Sequence, residues 1–131
     1  MRSFSRWALV LGTAALLAAC QTMAPIENVS NVSVSTRTNK SLTEVQVRDA
    51  IARGGAGLGW IMKDAGPGKM HGVLLIRTHT AEVDIAYSTS TYSITYSSSV
   101  NLQEGAGKIH RQYNIWIRSL TQGINNQLAA S

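Results

Sequence analysis

The chain has 131 residues, with 12 Lys and Arg against 7 Asp and Glu, a formal net charge of +5, and a single cysteine. One cysteine excludes an internal disulfide framework, and this length holds one small domain whose apolar core must sustain the fold alone. The basic residues are scattered, without the Lys/Arg stripe and interleaved aromatics of a nucleic-acid surface, so no nucleic-acid partner is expected.

The chain opens with "MRSFSR", which carries Arg2 and Arg6 and no acid, and an apolar stretch follows over residues 7–19. That stretch falls short of the roughly 20 apolar residues of a membrane span. A charged start, a short apolar segment and small residues before a cut site make a secretory signal. Leu17-Ala18-Ala19-Cys20 resembles the bacterial lipobox. The resemblance implies cleavage after residue 19, diacylglycerol on the Cys20 sulfur and N-acylation of the new terminus. Several acyl chains at about 0.8 kcal/mol per buried CH₂ make such an anchor effectively permanent. Gln21, rather than an acid, follows the cysteine. By resemblance to the enteric sorting rule this implies the outer membrane, on its periplasmic side. Loss of Arg2 and Arg6 leaves 10 basic and 7 acidic side chains, a net of +3.

Residues 20–40 are polar and read as the lipidated cysteine and a tether, with Val29, Val32 and Val34 permitting a short strand over 29–35. Ser41-Leu-Thr-Glu44 fits a capping box and predicts a helix to about Arg53, with Leu42, Val45 and Ala52 inward. "GGAGLG", residues 54–59, follows that helix and precedes a strand. This is the reverse of the order a phosphate-binding loop needs, so it reads as a helix stop. From residue 58 to 98 the apolar period is two. Two strands meet at Ala65-Gly-Pro-Gly68. A two-residue loop at His79-Thr80 would place Ile76 opposite Val83, Leu74 opposite Ile85, and Arg77 opposite Glu82. A loop over residues 88–91 would place Tyr87 opposite Tyr92, Ile85 opposite Ile94 and Val83 opposite Tyr96. After a loop over 101–108, Ile109, Tyr113, Trp116, Ile117, Leu120, Ile124 and Leu128 recur at helical steps. The expected fold is therefore α+β: a helix, a four-stranded antiparallel meander, and a long C-terminal amphipathic helix packed on one sheet face, in a single domain over 41–131.

Chemistry is sparse. His71 and His79, read on one strand, would stand about 26 Å apart, too far to share a metal, so no metal or cofactor is expected. There is no Gly-x-Ser-x-Gly elbow. Glu82 and Asp84 share the polar face of a strand at about 7 Å. A small meander gives such a pair no cleft, and no catalytic residue is assigned. Asn101, His110 and Asn114 are hard to explain by packing. They either line a small polar pocket where the last loop meets the helix, or satisfy loop backbone and cap the helix.

Tyr92-Ser-Ile-Thr-Tyr96, Asn101-Leu102, Ile109-His110 and Tyr113-Asn114-x-Trp116, with a weaker echo at Gly59-Trp60, resemble a group of small proteobacterial lipoproteins with no assigned activity. The resemblance covers about the last fifty residues. It implies an envelope lipoprotein domain and brings no substrate. The expected role is non-enzymatic: an accessory or protein-interaction module held at the membrane by its lipid, with an envelope protein as partner. The alternative is a binder of peptidoglycan or lipopolysaccharide through the hydroxyl-rich sheet face.

Overall fold

The computed structural model describes residues 22–131, so the signal segment and Cys20 lie outside the described residues. Its elements run β1 (Met23–Pro25), β2 (Val29–Ser33), α1 (Glu44–Ala56), β3 (Trp60–Asp64), β4 (Lys69–Ile76), β5 (His79–Tyr87), β6 (Thr91–Val100), β7 (Lys108–His110) and α2 (Gln112–Ala129). The fold is α+β. An antiparallel sheet of five strands has the order β2-β6-β5-β4-β3, and β1 pairs separately with β7. The expected meander is β3 to β6. The fifth strand is β2, which lies along β6 with a register shift between Val29 and Val32. Residues 22–40 are thus largely built into the domain rather than serving as a tether. β1 pairs Met23 with His110, and Thr36 is buried.

Helix α1 starts two residues later than the Ser41 box predicts. Thr43 is the cap: its hydroxyl accepts from Gln46 N at 3.2 Å, and the Gln46 side chain accepts from Thr43 N at 2.9 Å. Both frames fit a capping box, and apolar packing chooses between them. With Thr43 as cap, the residue before it and the fourth helical residue are Leu42 and Val47, both buried, which makes a hydrophobic staple. The Ser41 frame would staple Lys40 to Val45, and Val45 is 55% exposed.

The glycines of "GGAGLG" do more than stop a helix. Gly54 and Gly55 lie inside α1 and are buried. A Cβ on Gly54 would sit 2.7 Å from the Ile124 backbone, and one on Gly123 would sit 3.0 Å from the Gly54 carbonyl oxygen. The two helices therefore cross backbone to backbone at Gly54 and Gly123. Helix α2 buries Tyr113, Ile117, Leu120, Ile124 and Leu128, as its periodicity predicts. It begins at Gln112, because residues 108–110 form β7.

The β5–β6 register is as predicted: Tyr87 faces Tyr92, Ile85 faces Ile94 and Val83 faces Tyr96. The β4–β5 register is not. Ile76 pairs with His79, Leu74 with Ala81 and Val73 with Glu82, so the turn is Arg77-Thr78 and Arg77 does not oppose Glu82. Arg77 adopts a left-handed φ of 55°. The turn is braced from outside, since Asn101 Nδ2 donates to Thr78 Oγ1 at 2.9 Å. The error moves the turn by two residues, so it keeps side-chain parity. Met70, Leu74, Val83 and Ile85 remain inside. His71 and His79 fall on adjacent strands rather than one.

Two tyrosines anchor α2 to the sheet layer in different ways. The Tyr92 hydroxyl donates to Asn125 Oδ1 at 2.6 Å, while the buried Tyr113 hydroxyl has no hydrogen-bond partner among the described residues. The Tyr113 ring packs edge-on against Tyr96 at 5.5 Å. Burial pushes the Tyr92 phenol up to about 12 and raises that of Tyr113 as well.

Gly54→Ala should lower unfolding stability by about 1–3 kcal/mol through overpacking at the helix crossing. Gly105→Ala, where a Cβ meets nothing within 4 Å, should stay within about 0.5 kcal/mol of the parent. Urea midpoints of the two variants check this. Tyr92→Phe should cost about 1 kcal/mol, whereas Tyr113→Phe should be near neutral or stabilising, because it removes an unpaired buried hydroxyl. Above pH 10 the unfolded chain loses phenolic protons that the fold retains, so stability should fall from about pH 10 to 12. Tyr92→Phe should flatten that fall in thermal unfolding followed against pH.

Candidate functional site

The helices cover one face of the sheet. Along β4 and β5 the buried residues Met70, Leu74, Ala81, Val83 and Ile85 face them. The alternate residues form the outer face in cross-strand rows set by the register. One row is Lys63, His71, Asp84 and Thr95; the next is Ile61, Val73, Glu82 and Ser98. Side chains in such rows stand close enough to interact directly.

His71 sits between the two acids of this face. Its Nδ1 is 2.8 Å from Asp84 Oδ1, and its Nε2 is 3.7 Å from Glu82 Oε2. The Ser98 hydroxyl donates to the Glu82 carboxylate. Glu82 and Asp84 do share a face, as the sequence indicated, but an imidazole separates their roles. Ser98 hydrogen-bonds a carboxylate rather than His71, so the imidazole is not placed to take its proton as a serine nucleophile requires. The group is a cross-strand polar network on the outer face of the sheet. Among the described residues no cluster of three or more His, Cys, Asp or Glu is arranged to hold a metal ion.

Asn101, His110 and Asn114 are drawn into three separate tasks. Asn101, with a left-handed φ of 60°, holds the β4–β5 turn through Thr78, and its carbonyl oxygen is 2.8 Å from His79 Nδ1. His110 Nδ1 accepts from Gln112 N at 3.2 Å where α2 begins. Asn114 is buried at 4% exposure. It donates from Nδ2 to the Pro25 carbonyl at 2.9 Å and accepts from Glu27 N on Oδ1 at 3.0 Å. The amide thus clamps the link between β1 and β2 to helix α2. Asn114 and His110 thus satisfy backbone groups in the β1–β2 link and at the start of α2, while the Asn101 side chain pairs with that of Thr78.

One groove was not foreseen. It has a volume of about 580 Å³ and lies between the end of β2, the loop before α1 and the β5–β6 turn. Ser33, Ser35, Thr36, Ser41, Thr89 and Ser90 line it with hydroxyls, together with Lys40. Its residues come from three segments that sequence proximity does not connect. The low-complexity hydroxyl run at 88–99 was the only signal. No family model, curated protein or solved structure matches this chain.

Asn114→Ala should strip both partners of a buried amide and cost about 1–3 kcal/mol. Amide exchange at Glu27 should accelerate before exchange in the β4–β5 core does. Equal protection at both places would show that the clamp is dispensable.

Proposed function

We propose that this chain is a lipid-anchored lipoprotein of the bacterial cell envelope, held by Cys20 at the outer membrane on its periplasmic side. It acts there as a non-enzymatic interaction module for an envelope protein. The observation that carries the reading is the outer sheet face, which no other element among the described residues covers. Ile61 and Val73 provide apolar contact on it, and His71, Glu82 and Asp84 provide adjacent polar contact. Apolar and charged side chains side by side on one open surface offer a protein partner both hydrophobic contact and polar pairing. The anchor adds effective concentration near any membrane-bound partner. A second reading, binding of an envelope polymer such as peptidoglycan or lipopolysaccharide, is favoured by the hydroxyl-lined groove of about 580 Å³. The acids on the open face disfavour anionic polymer there.

A photoreactive residue at Thr95, exposed on the outer face, should yield a discrete protein adduct in intact cells, identified by mass spectrometry. Metabolic labelling should show lipid on the chain that Cys20→Ser abolishes. Adducts with glycan alone, from Thr95 or from a probe at Ser90, would favour the polymer reading and overturn the first.

A further inference from the structure

We propose that one end of the domain rests directly on the phospholipid surface, through Leu75, Arg77, Val100, Lys108, Arg111 and Ile115. The inference rests on the Cys20 anchor and adds an orientation to it. Two residue steps join Cys20 to Thr22, about 7 Å of chain at full extension. Thr22 is already fixed to the fold, since its carbonyl accepts from Arg111 N at 2.8 Å. The lipid therefore leaves the domain almost no play, and whatever surrounds Thr22 lies at headgroup level.

Hydrogen bonds trace what surrounds it. Met23 pairs with His110, and His110 N donates to the Leu102 carbonyl at 2.9 Å. The neighbouring Asn101 braces Thr78 and His79. The end of β6, the β4–β5 turn, β7 and the start of α2 thus gather at the anchored end. Leu75 and Val100 flank Thr80 in one cross-strand row, and both are 60% exposed, more than any other large apolar side chain described. Ile115, 44% exposed, lies one helical turn beyond Arg111. Arg77 in the β4–β5 turn, Lys108 in β7 and Arg111 at the start of α2 are exposed at the same end. The acids nearby are Glu104, in the loop before β7, and Glu27, which Arg118 pairs. Exposed apolar side chains and cations gathered at one end match the boundary between acyl chains and phosphates. Helix α2 then runs about 27 Å away from that boundary, and its Ala129 carbonyl accepts from Arg37 N. The hydroxyl-lined groove, which borders that loop, faces away from the membrane.

Once Cys20 carries lipid, single cysteines elsewhere take a fluorophore specifically. Full-length protein lipidated in cells, with Leu75→Cys, Ile115→Cys or Asn39→Cys, would be reconstituted into phosphatidylethanolamine–phosphatidylglycerol vesicles containing a headgroup nitroxide quencher. Labels at 75 and 115 should be quenched several-fold more than the label at 39. Equal quenching at all three sites on a chain whose mass includes the lipid would overturn the orientation and leave the anchor standing. A mature chain without lipid that does not float with vesicles would overturn both.

Discussion

Everything in this fold depends on two helices being able to touch. A five-stranded sheet presents more apolar surface than one helix can cover, and α1 and α2 share the task only because Gly54 and Gly123 let their backbones meet. With side chains at the crossing the helices would stand about 8–10 Å apart, and the buried sheet residues beneath them, Trp60 and Val83 among them, would lose their cover. The glycines also carry a cost, because each weakens its own helix by about 1 kcal/mol relative to alanine. Close packing over the sheet offsets that cost, which is why a glycine pair stands inside a helix instead of after it.

The parts of the fold legible in the sequence are those governed by periodicity. The α2 stripe and the faces of β4, β5 and β6 follow from apolar spacing alone. Parity survives even where the turn is misplaced, because burial dictates which residues point inward and says nothing about where the chain reverses. The reversal at Arg77-Thr78 is braced by Asn101, a residue more than twenty positions away, a contact that no local rule contains. The short strands were hidden for a related reason. β1 and β7 have three residues each, too few to show a period. β2 lies at a sheet edge, where its polar residues can face water, so it resembles a tether. Asn114 was conspicuous as a polar side chain on an apolar helix, but its partners at Pro25 and Glu27 lie across almost the whole domain.

The site was legible in outline only. Glu82 and Asp84 could be placed on one face from their spacing, yet His71 enters between them only through the β4–β5 register. Moving the turn by two residues takes it from a distant position to a hydrogen bond with Asp84. Polar clusters on sheets depend on register more steeply than apolar cores do, since a core tolerates any even shift and a hydrogen bond tolerates none.

The pairing of β1 with β7 bears on how the domain is assembled in time. Met23 and His110 are joined by nearly the full length of the folded chain, and closing so long a loop gives nothing back until almost all the rest is in place. The hairpins from β3 to β6 are local and can form early, while the first strand waits for a partner made near the end of synthesis. Completion of the fold is therefore coupled to arrival of the C-terminal segment, and a chain cut short before residue 108 would lack both the partner of its first strand and the helix α2 that covers its sheet.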